Sequence, residues 1–412
     1  MKWRRRLIGD FIEAGLAHLQ TGPFGTQLKA SDYLQEGTPV INVRNIGFGN
    51  LRPETLEHVG EETTDRLSAH LLRQGDIVFG RKGAVDRHLY VCQPQENWMQ
   101  GSDCIRLRFE TDEVSSRFVS CALLTGQHQQ WMLSQAGNRA TMASLNQEII
   151  SRIVVSLPPR EIQDRVVEVL SAYDDLIENN RQRMVLLEKA ARLLYEEWFV
   201  RLHFPGHERT RMIGGIPEGW ERKPLSGLCE RIDYGYTASA EQEETGPKFL
   251  RITDIVSDFI DWSVVPYCPI DESRLEKFRL AEGDIVVART GATVGYAKRL
   301  HKRHPQAVFA SYLVRFRLKP QVSSLMVGIF VESDAYKRYV HSRVGGAAQP
   351  NASAPVLADA QILVPPPALE RDFDASVEPL VDEGEILQMQ NQHLRTGRDL
   401  LLPRLMSGEI AV

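Results

Sequence analysis

The chain has 412 residues, of which 42% are apolar and 25% charged, and a net charge of −5. At roughly 150 residues per domain, this length predicts two or three domains with proper cores. No apolar run approaches the roughly 18 residues of a membrane span, and the basic start MKWRRRLIGDF leads into acidic and polar residues rather than a signal segment. Five cysteines without a CxxC spacing argue against a disulfide framework or a structural zinc site, and for the reducing cytoplasm.

The net charge is unevenly spread. Residues 1–157 sum to 0, 158–205 to −2, 206–367 to +2 and 368–412 to −5. The acid excess thus sits in two short segments, and the two long ones are balanced or slightly basic. Of the 49 cationic residues, 38 are arginine. The planar donor fork of arginine grips phosphates and guanine edges, so this bias permits a nucleic-acid partner.

In chain order, the first long segment alternates strand-like runs (PVINVRNI at 39–46, IVFG at 77–80, CIRLRF at 104–109) with short helical stretches and many Gly, Pro and Asn turns. It ends in IVVSLPP at 153–159. From Ile162 the apolar positions run Ile162, Val166, Val169, Tyr173, Leu176, Met184, Leu187, Ala191, Leu194 and Trp198, with Asn180 in the one missing place. This four–three spacing predicts a long coiled-coil helix. The second long segment repeats the pattern. KFLRITDI at 248–255 matches PVINVRNI, and AQILVPP at 360–366 matches IVVSLPP. GDIVVARTGA at 283–292 matches GDIVFGRKGA at 75–84 in seven of ten positions, at an offset of 208. A second seam follows at Leu369, Phe373, Val377, Leu380, Leu387, Gln390, Leu394 and Leu401, with Pro403 and Gly408 at its end.

Trp3, followed by Arg5 and Arg6, also matches Trp220, followed by Arg222 and Lys223. Four collinear matches identify a tandem duplication. The expected fold is α+β: two similar domains at 1–157 and 206–367, separated by two long antiparallel coiled-coil helices at 158–205 and 368–412. Each helix of about 38 residues would span about 57 Å. Two unlike domains on a rigid pair suit a ligand with two separated recognition sites. Duplex DNA is such a ligand, because its grooves recur about every 34 Å along one face.

Candidate DNA contacts are polar and cationic residues near turns. They are Thr26, Lys29, Arg44, Arg81, Lys82, Arg87 and Arg139 in the first half. In the second they are Tyr236, Arg251, Arg289, Thr290, Lys298, Arg299, Lys302, Arg303 and Gln349. Arg81 and Arg289 lie in the matched segment, so a fold-defining hairpin competes with a DNA contact there. The loops that differ, 21–29, 87–88 and 137–141 against 234–237, 298–303 and 345–351, are better placed to carry specificity. No phosphate loop, adenine-methyltransferase motif, Gly-rich cofactor loop, HExxH pattern or recognisable nucleophile is present.

The layout resembles the specificity (S) subunit of type I restriction–modification enzymes. The resemblance rests on the paired GDIV segments, the junctions SLPPREIQ and LVPPPALE, and the helix ends LEKAARLLYEEWF and LRTGRDLLLPRL. It implies a non-catalytic DNA-recognition subunit with two target-recognition domains, each reading half of a bipartite asymmetric site. Two methyltransferase subunits dock on the helices and restriction subunits are recruited. S-adenosylmethionine, ATP and Mg belong to those partners, and no membrane partner is expected. Leu194, Tyr195, Trp198 and Phe199, with Leu401, Leu402, Leu405 and Met406, exceed what a two-helix seam buries; they are the expected docking residues, with packing against the chain's own domains as the competing reading. Two alternatives remain open: a self-contained DNA enzyme, and a duplicated protein–protein scaffold.

Overall fold

A computed structural model describes residues 3–53, 55–136, 144–344 and 350–412. The chain divides into two compact units, Met1–Leu176 with Leu394–Val412, and Ile177–His393.

In the first unit a mixed sheet runs in the order Phe48–Gly49, His88–Tyr90, Ile77–Gly80, Cys104–Phe109, Ala17–Thr21. In the second, a sheet of Ala297–Arg299, Ile285–Ala288, Leu313–Leu318 and Cys229–Tyr234 repeats the order of the last four of those strands. The outlying matches in the sequence have the same meaning. Arg4–Leu7 pairs antiparallel with Val154–Leu157, and Glu221–Pro224 with Gln361–Val364. In each repeat the strand after the tryptophan thus meets the strand before the proline cluster.

The matched GDIV segment is explained residue by residue. Gly75 and Gly283 take φ of +91° and +79°, which disfavours a side chain. Asp76 and Asp284 are 1% and 2% exposed. Asp76 accepts from Arg108 at 2.7 and 2.6 Å and from the Arg73 backbone N–H at 2.8 Å. Asp284 accepts from Arg317 at 2.8 and 2.7 Å and from the Ala281 N–H at 2.8 Å. A second buried arginine lies close in each, Arg106 at 4.0 Å and Arg315 at 3.8 Å. Two guanidiniums offset each buried carboxylate, as a charge away from water requires. The following strands, Ile77–Gly80 and Ile285–Ala288, are buried throughout.

Two long helices, Arg160–Tyr195 and Pro367–Met406, start at the proline clusters. Proline is preorganised for a first helical turn. A π-helical turn, Glu196–Val200, prolongs the first. The second continues through Gly384, Gly397 and Pro403, so Pro403 lies inside its last turn rather than ending it.

The two helices run antiparallel wherever they meet within a unit. In the first unit Val166 and Leu170 share a core with Leu405 and Met406, and Asp174 pairs with Arg398 at 2.6 Å. In the second, the Asn180 amide donates to Asn391 at 3.1 Å and Asn391 donates to the Ile177 carbonyl at 3.2 Å. Further along, Arg183 meets Glu383 at 2.6 Å and Phe199 packs on Phe373 with centroids 4.8 Å apart. The seam differs locally from the expected one. Leu176 is 53% exposed, whereas Leu170 is buried. Asn391, not the exposed Gln390, takes the buried place opposite Asn180.

Each helix start is tied to its own half. The Gln163 side chain accepts from the Ser115 N–H at 2.8 Å, and Glu370 accepts from the Ser323 N–H at 3.3 Å. Ser115 and Ser323 in turn cap the helices Ser116–Leu123 and Ser324–Glu332.

Candidate nucleic-acid interface

The loop 81–87 joins two neighbouring strands in the first unit, and the loop 289–296 does so in the second. At its start Arg81 holds the chain: its N–H donates to the Asp103 carbonyl at 2.7 Å, and its carbonyl accepts from Leu145 at 2.8 Å. Arg289 repeats both bonds, to Tyr312 at 3.0 Å and from Ala352 at 2.8 Å. The backbone of the matched arginine is therefore structural, as the hairpin reading required.

The side chains point elsewhere. The Arg81 guanidinium lies 5.1 Å from the centre of the Phe24 ring, and that of Arg289 4.9 Å from the Tyr234 ring. Arg87 stacks likewise over Phe48 at 5.0 Å. All three aromatic rings are exposed. Among the described residues the Nε atoms of Arg87 and Arg289 find no acceptor, while Arg289 also reaches the Asn351 side chain at 3.2 Å. Such preorganised guanidinium–aromatic pairs can offer a planar donor fork and a stacking surface to a phosphate or a base edge.

The other first-half candidates are also at the surface. Thr26 and Lys29 are exposed. Lys82 pairs with Asp103 at 3.4 Å, and Arg44 with Glu57 at 2.8 Å, all four half-exposed. In the second half Thr290 is partly exposed. Tyr236 is packed on Phe278 with centroids 5.2 Å apart. Arg251 is held by Asp254 at 2.9 Å, a hydrogen bond that raises the guanidinium pKa. Arg139 and Gln349 lie outside the described residues.

The basic run 298–303 needs correcting. Lys298 is 8% exposed, and its ammonium donates to the Asp258 carbonyl at 2.8 Å and to Glu332 at 3.4 Å. The Arg299 N–H donates to Glu332 at 2.9 Å, and its side chain reaches Ser324 and His301. Burial pulls the Arg299 pKa down. Lys302 meets Asp382 at 2.7 Å, and Arg303 meets Glu385 at 2.8 Å, so both engage the second long helix. Burial pushes the Glu332 carboxyl up, yet Lys298, the Arg299 N–H and Arg192 bring it below the ordinary value. The basic side chains of the run are thus engaged in pairs within the second unit, and Lys298 is buried.

The expected docking residues need a second correction. Tyr195, Trp198 and Phe199 are buried in the second unit's core around Phe373 and Trp220, with Leu194 packed against it. Leu405 and Met406 are buried with Val166, Leu170 and Phe118 in the first unit, with Leu401 and Leu402 alongside. Instead, Leu186, Leu193 and Val200 stand 65%, 48% and 64% exposed along the first long helix at seven-residue spacing. A second apolar heptad register in the sequence was the signal for this stripe. The partners Phe24, Phe48 and Tyr234 had no such signal, since stacking across a loop leaves no periodicity.

Among the described residues no group of three or more His, Cys, Asp or Glu is placed to hold a metal. Burial raises the Cys104 and Cys229 thiols to about 12 and Cys121 to about 11, which keeps them protonated and inert. Burial also lowers His88 to about 3, so this ring stays neutral. Among the described residues no helix is long and apolar enough to cross a membrane.

A family model described as the type I restriction modification DNA specificity domain matches residues 2–189. The type I restriction enzyme MjaIX specificity subunit of Methanocaldococcus jannaschii is 26% identical over 86% of this chain and 82% of its own length. The HindI specificity subunit of Haemophilus influenzae is 20% identical over 82% of this chain and 87% of its own. Residues 2–189 thus resemble that specificity domain, and the chain as a whole is similar to type I specificity subunits. The type I S subunit from M. genitalium shares the fold. It has a TM-score of 0.57 at 13% identity and covers 98% of this chain and 96% of that one.

Proposed function

We propose that this chain is a specificity subunit and reads a bipartite, asymmetric DNA site, one half per repeat. The reading divides the chain into target-recognition domains at 1–157 and 206–367 and spacer helices at 158–205 and 368–412. The observation that carries it is the pairing of sameness and difference. Both repeats keep the buried Asp–Arg anchor and an arginine stacked on an exposed aromatic ring, while the side chains around that pair differ. Two copies of one scaffold with unlike surfaces suit two unlike half-sites.

The exposed contacts in this reading are Thr26, Lys29, Arg44, Arg81, Lys82 and Arg87 in the first half, and Tyr236, Arg251, Arg289 and Thr290 in the second. Lys302 and Arg303 contribute only if they leave Asp382 and Glu385. Arg139 and Gln349 remain candidates by sequence. The antiparallel long helices set the unread spacer. Two methyltransferase subunits dock on these helices, and the exposed row Leu186, Leu193, Val200 is the surface offered. S-adenosylmethionine, ATP and Mg serve chemistry on the methyltransferase and restriction subunits, in the cytoplasm. The partners also supply cationic surface around the DNA, which fits the chain's weak net charge.

The test is a gel-shift titration against random duplex DNA, with and without the cognate methyltransferase, followed by mapping of methylated bases. The expected result is a salt-sensitive complex and a two-part motif with a fixed gap. A protein that methylates alone would support the enzyme reading, and one that ignores DNA in both settings would support the scaffold.

A further inference from the structure

The repeats share one turn at which a single side chain differs in chemistry while the backbone is kept. Residues 101–103 (Gly-Ser-Asp) precede the strand Cys104–Phe109, and residues 310–312 (Ala-Ser-Tyr) precede Leu313–Leu318. The hydrogen bonds match throughout. The Gly101 N–H donates to the Ile41 carbonyl at 2.9 Å, and that of Ala310 to Leu250 at 2.9 Å. The turn closes from Cys104 to Gly101 at 3.3 Å and from Leu313 to Ala310 at 2.9 Å. The third residue of each turn gives its carbonyl to the strand-end arginine, Asp103 to Arg81 and Tyr312 to Arg289.

The contact that both repeats keep at that third position is made by its carbonyl. Its side chain is 50% exposed in Asp103, and Tyr312 is 58% exposed. Each sits one hydrogen bond from an arginine stacked on an exposed aromatic ring. The neighbouring loop position differs in step: Lys82 pairs with Asp103, and Thr290 stands in the place of Lys82. We propose that Asp103 and Tyr312 are specificity-determining residues, each choosing a base in the half-site of its own repeat; this rests on the DNA-reading function above. A carboxylate only accepts, so Asp103 favours a base presenting an amino donor, cytosine N4 or adenine N6, and rejects the acceptors of guanine. Tyr312 offers an apolar ring to a thymine methyl or a stacking face, with a hydroxyl that donates.

The experiment uses the complex with its cognate methyltransferase. Asp103→Tyr and Tyr312→Asp are made separately, together with Asp103→Ala and Tyr312→Ala, which only remove side chains from a solvent-facing turn. Methylated motifs are mapped, and affinities are measured on duplexes varied one base at a time in one half-site. Each exchange variant should change preference at one position of one half-site by about tenfold or more, leaving the other half and the gap as they were. Each alanine variant should relax that same position. An unchanged motif at unchanged affinity, or a loss equal across all half-site sequences, overturns the assignment. If the unaltered complex yields no two-part motif, the DNA-reading function fails instead, which is a separate result.

Discussion

The two repeats agree at their buried charges and disagree at their turns. Asp76 and Asp284 sit among corresponding arginines at nearly the same distances, whereas Asp103 and Tyr312 occupy equivalent backbone sites with different side-chain chemistry. A buried carboxylate cannot change without leaving guanidiniums unpaired, so duplication leaves it alone. A half-exposed side chain whose backbone does the structural work is free to diverge. The difference teaches where to look for specificity in a duplicated scaffold.

The strongest way to break this comparison is to remove the anchors. Asp76→Ala and Asp284→Ala should each cost about 3–5 kcal/mol, because each leaves buried arginines without their carboxylate. Urea unfolding of the two variants checks this, and an inexpensive Asp284→Ala would show that the halves are not held alike. The helix ends sharpen the comparison next. Trp198→Ala should cost about 3–5 kcal/mol and Leu405→Ala about 2–5 kcal/mol, since each fills the core where the other long helix begins. Thermal melting reads both, and a Trp198→Ala variant of unchanged stability would return Trp198 to the docking surface.

The smallest effect concerns the helix starts, where one half has Gln163 and the other Glu370. Burial, foremost, holds the Glu370 carboxyl above its ordinary value, and nearby Asp374 adds to it. The charged form is therefore disfavoured in the fold. Stability is lost as pH rises from the ordinary glutamate range through the raised value, and it is recovered below that range. Glu370→Gln should raise the melting temperature by a few degrees at neutral pH and make no difference at pH about 4. Gln163→Glu should import the same pH dependence into the first half. Melting curves across that range decide it, and parallel curves for both variants would count against the burial argument.

Much of this was legible in the sequence because duplication and heptad spacing are periodic signals. The long helices, the repeated strands around GDIV and the junction prolines all follow from them. What was not legible depends on contacts between distant segments. Lys302 and Arg303 read as a solvated basic run because Asp382 and Glu385 lie some 80 residues away. Trp198 and Phe199 read as surplus to a seam because Phe373 and Trp220 complete their cluster from elsewhere. The Leu186, Leu193, Val200 row was hidden for the opposite reason, since a second heptad register beside a first looks like core.

The first unit is completed by Leu394–Val412, so all 217 residues of Ile177–His393 are synthesised between its two parts. At about 5–20 residues per second, that interval lasts roughly 10–40 s on the ribosome. For that time Val166 and Leu170 lack Leu405 and Met406, and a nascent chain with a finished sheet still carries an open apolar flank. Slower translation should lengthen the exposure of that flank and, with it, the chance of aggregation before Leu394–Val412 arrives.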